Sequence, residues 1–171
     1  TAEELNLSIL YKENVTADEI PQIIEEFVNA DCRVVVANSF EFGDAMVEAA
    51  AKYPEVYFLH ATGTASDKNL STYFGRIYQI RYLCGIVAGL QTKTNEIGYV
   101  AAFPISEVNR GINAFTLGVR SVNSEANVYV SWTNSWEDDA ATAEATKNLL
   151  DAHNIDVLTM HSDSLIPLDI A

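Results

Sequence analysis

Ser39, Phe40, Phe103, Trp136, Ser162 and Asp163 combine useful chemistry with position in this 171-residue chain. Each stands where an apolar, strand-like run gives way to a segment that reads as a loop or helix start. Three such junctions occur in the second half, in Tyr99–Pro104, Val128–Trp136 and Val157–Ser164. The carboxyl ends of parallel strands share one edge, so these loops are expected to converge beside the first turns of the helices that follow. Open α/β sheets bind ligands there, and a small molecule is the natural occupant. Ser39, in Asn38-Ser39-Phe40-Glu41-Phe42, offers a hydroxyl, and Phe40 or Phe42 a ring. Phe103 and Pro104 hold the equivalent turn of the second half.

Each residue also has a plainer role open to it. Phe103 and Trp136 suit packing, and Ser39, Ser162 and Asp163 suit capping of the next helix. Trp132, inside its strand, reads as core, and His60 as a hydrogen-bonded structural histidine at a strand end. A hydrolase triad drawn from Ser39, Ser162, His60, His161 and Asp163 lacks the Gly-x-Ser-x-Gly elbow, and no cysteine stands beside a histidine. His161 and Asp163 are too few for a metal site. The reading is therefore of a binding protein, with no enzyme activity, cofactor or metal.

These residues need a scaffold, and composition permits one. The chain is 49% hydrophobic and 20% charged, a globular balance. Its net charge of −14 repels a phosphate backbone, and no basic run offsets it, which argues against nucleic acid. No stretch reaches the roughly 20 apolar residues that span a bilayer, and Thr1-Ala2-Glu3-Glu4 lacks the features of a secretion signal. Cys32 and Cys84 fit neither a zinc spacing nor a disulfide framework and read as packing residues.

Periodicity predicts a strand at Leu7–Tyr11 and a helix over Ala17–Ala30, with Thr16 and Glu19 forming a capping box. A strand at Arg33–Ala37 is expected to be buried on both faces. Then come a helix at Asp44–Tyr53, a strand at Val56–His60 and a polar stretch, Thr62–Asp67, that reads as a lobe boundary. The domains are thus 1–65 and 66–171. Beyond the boundary the pattern gives a long apolar helix from Tyr73 to Gln91, whose Gly75, Gly85 and Gly89 invite close backbone approach. Next are strand Ile97–Ala101, helix Glu107–Val122, strand Val128–Trp132, helix Asp139–Ala152 and strand Ile155–Met160. The alternation predicts two α/β lobes with parallel sheets of about three strands each.

Tyr73-Phe74-Gly75-Arg76, Gly85-Ile86-Val87-Ala88-Gly89, Ile97 to Pro104 and Arg110-Gly111-Ile112-Asn113-Ala114-Phe115 to Asn123 occur in an order that resembles the BMP family of basic membrane lipoproteins. The match runs from about Val34 to Ser164. The resemblance implies a type I periplasmic-binding-protein fold, with two doubly wound lobes joined by crossovers and ligand held between them as they close. It also implies an extracytoplasmic receptor, lipid-anchored or periplasmic, that captures a purine nucleoside and serves an ABC permease. Trp136 would then stack on the base, and Ser162 and Asp163 would border the ligand.

Family members carry a further strand and helix at the start, which nothing in Thr1–Asn14 matches, and continue past Ser164. The chain is therefore expected to be an incomplete receptor, with self-association through exposed sheet edges a consequence. The alternatives are a ligand-sensing regulatory module or a non-binding fragment.

Overall fold

The computed structural model describes residues 4–171, which hold six α-helices and six strands in two three-stranded parallel sheets. The chain divides into two compact units, one ending at Gly75 and the other beginning at Arg76. That division falls beyond the polar stretch Thr62–Asp67, because the strand that follows the stretch pairs with the first sheet.

In the first unit, helix α1 spans Ile20–Asn29, and Ile20 and Ile24 bury its apolar stripe. The Glu19 carboxylate accepts from the Thr16 backbone N–H at 3.0 Å and from the Thr16 hydroxyl at 2.7 Å. These bonds, the backbone one foremost, hold the Glu19 carboxyl below its ordinary range. Only half of the capping box forms, since the Thr16 hydroxyl faces Glu19 rather than the helix, and the first helical residue is Ile20.

Strand β1 (Val34–Ala37), helix α2 (Gly43–Lys52), and strands β2 (Tyr57–Ala61) and β3 (Leu70–Tyr73) complete the unit, with sheet order β1-β2-β3. The predicted long helix from Tyr73 hides β3: residues 70–73 pair with β2 in parallel, and the helix starts later. The Asn69 amide secures that arrangement, lying 2.9–3.1 Å from the carbonyls of Ala50, Tyr53 and Val56.

Two expectations for this unit fail. Leu7–Tyr11 forms no strand; it pairs with no neighbour among the described residues, and Leu7 and Ile9 are about 60% exposed. β1 is buried on one face only. Val35 and Ala37 enter a core with Ile24, Met46 and Phe58, whereas Val34 and Val36 are more than half exposed, because α1 and α2 cover the same side of the sheet.

The second unit contains α3 (Ile77–Gln91), β4 (Glu96–Ala101), α4 (Ser106–Val122), β5 (Asn127–Trp132), α5 (Asp139–Ala152), β6 (Val157–His161) and the short α6 (Ile166–Ile170). Its sheet has the order β5-β4-β6, all parallel. Central β4 is buried from Ile97 to Ala101 because both faces are covered. Ile97, Tyr99 and Ala101 pack with Val108, Phe115 and Val119 of α4 and Ala88 of α3, and Val100 packs with Ala145 and Leu149 of α5. Two more expectations change here. Gly75 lies outside α3 with nothing near the Cβ position, and Cys84 is exposed on a face of α3 that also carries Ile80, Leu83 and Val87. Cys32 is half-buried.

The amino-terminal end of this sheet is locked by Asp156. Its carboxylate accepts from the Thr92 hydroxyl at 2.6 Å and from the Lys93 and Thr94 N–H groups at 2.6 and 3.2 Å. Hydrogen bonding, from Thr92 first, lowers its pKa from 3.8 to about 2. A carboxyl depressed in the folded state stabilises above its unfolded pKa and loses that contribution as pH falls through the folded one. Asp156→Ala is expected to cost about 1 kcal/mol at neutral pH, solvent holding the loss below that of a buried charged bond. The difference from the unaltered protein should vanish between about pH 4 and pH 2, as chemical denaturation at stepped pH will measure.

Candidate functional site

At the carboxyl end of the second sheet, Ala101 pairs with Trp132 on one side and His161 on the other. Three loops therefore leave the sheet at one level, as the strand-to-helix junctions predict. Backbone bonds join them: Ala102 N–H donates to His161, Asn134 N–H to Ala102, and Asp163 N–H to Trp136 at 2.7 Å. The Thr133 hydroxyl closes its own loop by donating to the Ser135 carbonyl at 2.7 Å. Asn134 makes the turn with φ of 53°, a left-handed conformation that asparagine tolerates better than most residues.

This rim gathers Phe103, Trp136, Ser162 and Asp163. The Phe103 and Trp136 rings stand 5.7 Å apart and tilted by 58°. Both are half-buried, and Trp136 also packs against the core cluster around Tyr99 and Phe115. Trp132 packs on that cluster too. Asp163 is exposed, while the Ser162 hydroxyl is buried and makes no hydrogen bond with the described residues.

Helix capping at these turns falls to other side chains. Asp138 accepts from Ala141 N–H at 2.9 Å to start α5, and the Ser164 hydroxyl donates to Asp139 at 2.6 Å and accepts from Ile166 N–H at 3.3 Å. The Ser162 hydroxyl and the Asp163 carboxylate are left free of that duty.

Ser39 and Phe40 occupy the corresponding edge of the first unit, at the end of β1. Ser39 is extended, and its side chain makes no capping bond to the turn Phe40–Phe42 that follows. Its carbonyl lies 2.6 Å from Nε2 of His60. His60 is buried at 3% exposure, so this ring fixes the turn from behind. Phe40 is 39% exposed, whereas Phe42 packs against the core. Gly63 passes so close to the His60 ring that a Cβ there would overlap Nδ1.

Periodicity missed a buried group beneath the second rim. His161 Nδ1 is 3.2 Å from the Tyr99 hydroxyl, and Nε2 is 3.3 Å from the Glu107 carboxylate of α4. Its ring centroid is 6.4 Å from that of Trp136. Arg81 of α3 donates to the Met160 carbonyl at 2.9 Å, one residue before His161. Burial pushes the Tyr99 hydroxyl up to about 12, Arg81 opposing and Glu107 adding to the shift, so it stays protonated. The missing signal was long-range: Tyr99, Glu107 and His161 come from three elements. The rim can thus offer rings and a carboxylate, with the Ser162 hydroxyl and the His161 group buried beneath them.

Comparison with known proteins shows the family of the chain. The family model Bmp, for PnrA-like ABC transporter substrate-binding proteins, matches residues 1–165. The match takes in Thr1–Asn14, well ahead of the motifs that begin at about Val34, so the family relationship extends to the segment expected to lie outside it. The chain is 43% identical over 154 residues to a putative ABC transporter glucose-binding protein of Haloferax volcanii, covering 90% of this chain and 39% of that protein. It is 38% identical over 148 residues to a purine-binding protein of Brucella abortus, covering 86% and 42%. A solved ABC transporter solute-binding protein of Aeropyrum pernix superposes with a TM-score of 0.80 at 17% identity, covering 99% of this chain and 49% of that one. The chain thus spans about two-fifths of the length of these two curated relatives.

Proposed function

The chain belongs to the Bmp family of ABC transporter substrate-binding proteins, and from that premise we propose that it serves a receptor that captures a purine nucleoside outside the cytoplasm and hands it to an ABC permease. The observation that carries the ligand class is the Phe103–Trp136 pair at the carboxyl edge of the second sheet, two tilted rings with centroids 5.7 Å apart, beside the exposed Asp163. A nucleoside needs both kinds of partner: an apolar face for the base, and polar groups for its hydroxyls and ring edge. Asp163 supplies the second kind at the surface and Ser162 an unpartnered hydroxyl just beneath it, and Ser39 with Phe40 supplies a similar combination at the edge of the first sheet. Binding of this kind makes and breaks no bond. The receptor is held at the membrane by a lipid anchor or is free in the periplasm.

The two curated relatives differ in the ligand their names carry, glucose in one and purine in the other, so the test must separate them. Calorimetry on the full-length protein with adenosine, guanosine, inosine and glucose is expected to give heat with at least one nucleoside and none with glucose. Binding of glucose alone would overturn the nucleoside assignment while leaving the receptor class intact.

A further inference from the structure

We propose that His161 is a positioning residue for ligand capture: clamped at both ring nitrogens by Tyr99 and Glu107, it sets the tilt of Trp136. The inference rests on the assignment of Trp136 to the ligand's base. Trp136 sits on the loop after β5 with its carbonyl held by Asp163 N–H, and the tilt of the indole depends on what packs against it. The two rings nearest to it are Phe103, itself on a loop, and His161, the last residue of β6.

Of these neighbours His161 is the rigid one. Nε2 lies 3.3 Å from a Glu107 carboxylate oxygen and Nδ1 3.2 Å from the Tyr99 hydroxyl, so the ring meets a polar partner at each nitrogen. Both partners are anchored in covered elements, Tyr99 in central β4 and Glu107 in the first turn of α4. The His161 and Glu107 side chains are only 11% and 14% exposed, which shields the pair from competing water. Gly111 of α4 confines the ring from the side, since a Cβ there would lie 3.1 Å from two of its atoms. Arg81 adds a third tether by holding the Met160 carbonyl. A chain of contacts thus runs from α4 through His161 to the indole.

The test uses the full-length protein in a Trp132→Phe background, where Trp136 is the remaining tryptophan of this region, with adenosine, guanosine and inosine as probes. Glu107→Ala is expected to weaken nucleoside binding about tenfold, the scale of losing one polar partner in a shielded site. It should also shift the Trp136 emission maximum in unliganded protein. Glu107→Gln keeps a polar side chain of the same length beside Nε2 and is expected to restore both. Tyr99→Phe, which removes the other clamp and keeps the ring, should reproduce the emission shift. Far-ultraviolet circular dichroism verifies that the variants remain folded, and if Glu107→Ala does not, Tyr99→Phe carries the test.

Unchanged emission and affinity in the folded variants would overturn the inference, as would failure of Glu107→Gln to recover either signal. Trp136→Ala is the separate arm. If it abolishes binding while Glu107→Ala and Tyr99→Phe are silent, the base-stacking assignment stands and the positioning role falls. If Trp136→Ala binds nucleoside normally, the stacking assignment falls, and the role proposed for His161 in capture falls with it.

Discussion

Gly118→Ala is expected to destabilise the second unit by about 3 kcal/mol, at the upper end of the cost of overpacking a close contact. The sign is the informative part. In an exposed helix interior the same change stabilises by about 1 kcal/mol, because alanine is the better helix former. At Gly118 the added methyl would run into the Tyr82 carbonyl, and at Gly85 into the Phe115 carbonyl. The two glycines are thus reciprocal, each on one helix receiving a carbonyl of the other. Both obstacles are backbone, which cannot rotate away as a side-chain end can, so α3 and α4 must separate.

Gly85→Ala is expected to match Gly118→Ala in size. Gly75→Ala, with nothing within 4 Å of the new methyl, should stay within about 0.5 kcal/mol of the unaltered protein. Urea denaturation of the three variants measures the contrast. A Gly118→Ala protein as stable as the parent would mean that the crossing is looser than these distances require. The loss would also reach the rim, because α3 carries Arg81 and α4 carries Glu107 and Gly111, the residues that brace the end of β6.

The order of helices and strands in the second unit was legible because each element has one dominant local signal. β4 is a continuous apolar run, α4 repeats Val108, Phe115 and Val119 at helical spacing, and α5 begins and ends where its pattern does. The first unit was less legible where local signals compete with partners far along the chain. Leu70–Tyr73 has too few residues to look like a strand and flows into apolar residues of helical character, yet its backbone completes a ladder with β2. Leu7–Tyr11 has strand composition but no ladder to join, and a lone strand leaves its backbone groups to water. Val34-Val35-Val36 is apolar on both sides, and sequence alone does not reveal which sides a helix will cover.

For the candidate site, the strand ends are predictable from topology, so the convergence of the loops that carry Phe103, Trp136, Ser162 and Asp163 is legible in the sequence. What sequence withheld was the division of labour among them. Which serines cap helices is decided by loop geometry, and Ser164 does so while Ser162 does not. The buried His161–Glu107–Tyr99 group depends on register: the parallel pairing of Ala101 with His161 brings β6 to the level at which Tyr99 and Glu107 meet the ring.

Trp136→Ala is expected to weaken purine nucleoside binding in the full-length protein by about 10- to 100-fold, the equivalent of roughly 1–3 kcal/mol of lost base stacking. Because the indole also packs on the core beside Tyr99 and Phe115, the variant will lose stability too, and the two effects need separate measurements. Thermal melting without ligand reports the packing loss, and calorimetry well below the melting temperature reports the binding loss. Trp136→Phe keeps a π-face of smaller area and should recover most of the affinity. Phe103→Ala should cost less than Trp136→Ala, since it removes the smaller ring of the pair.

Ribose provides the decisive control. It has hydroxyls for Ser162 and Asp163 but no base, so whatever affinity it shows should not depend on Trp136. A nucleoside affinity unchanged by Trp136→Ala, in a protein whose melting temperature falls, would assign the indole to packing alone. The base would then have to be held elsewhere on the rim, with Phe103 the ring that remains.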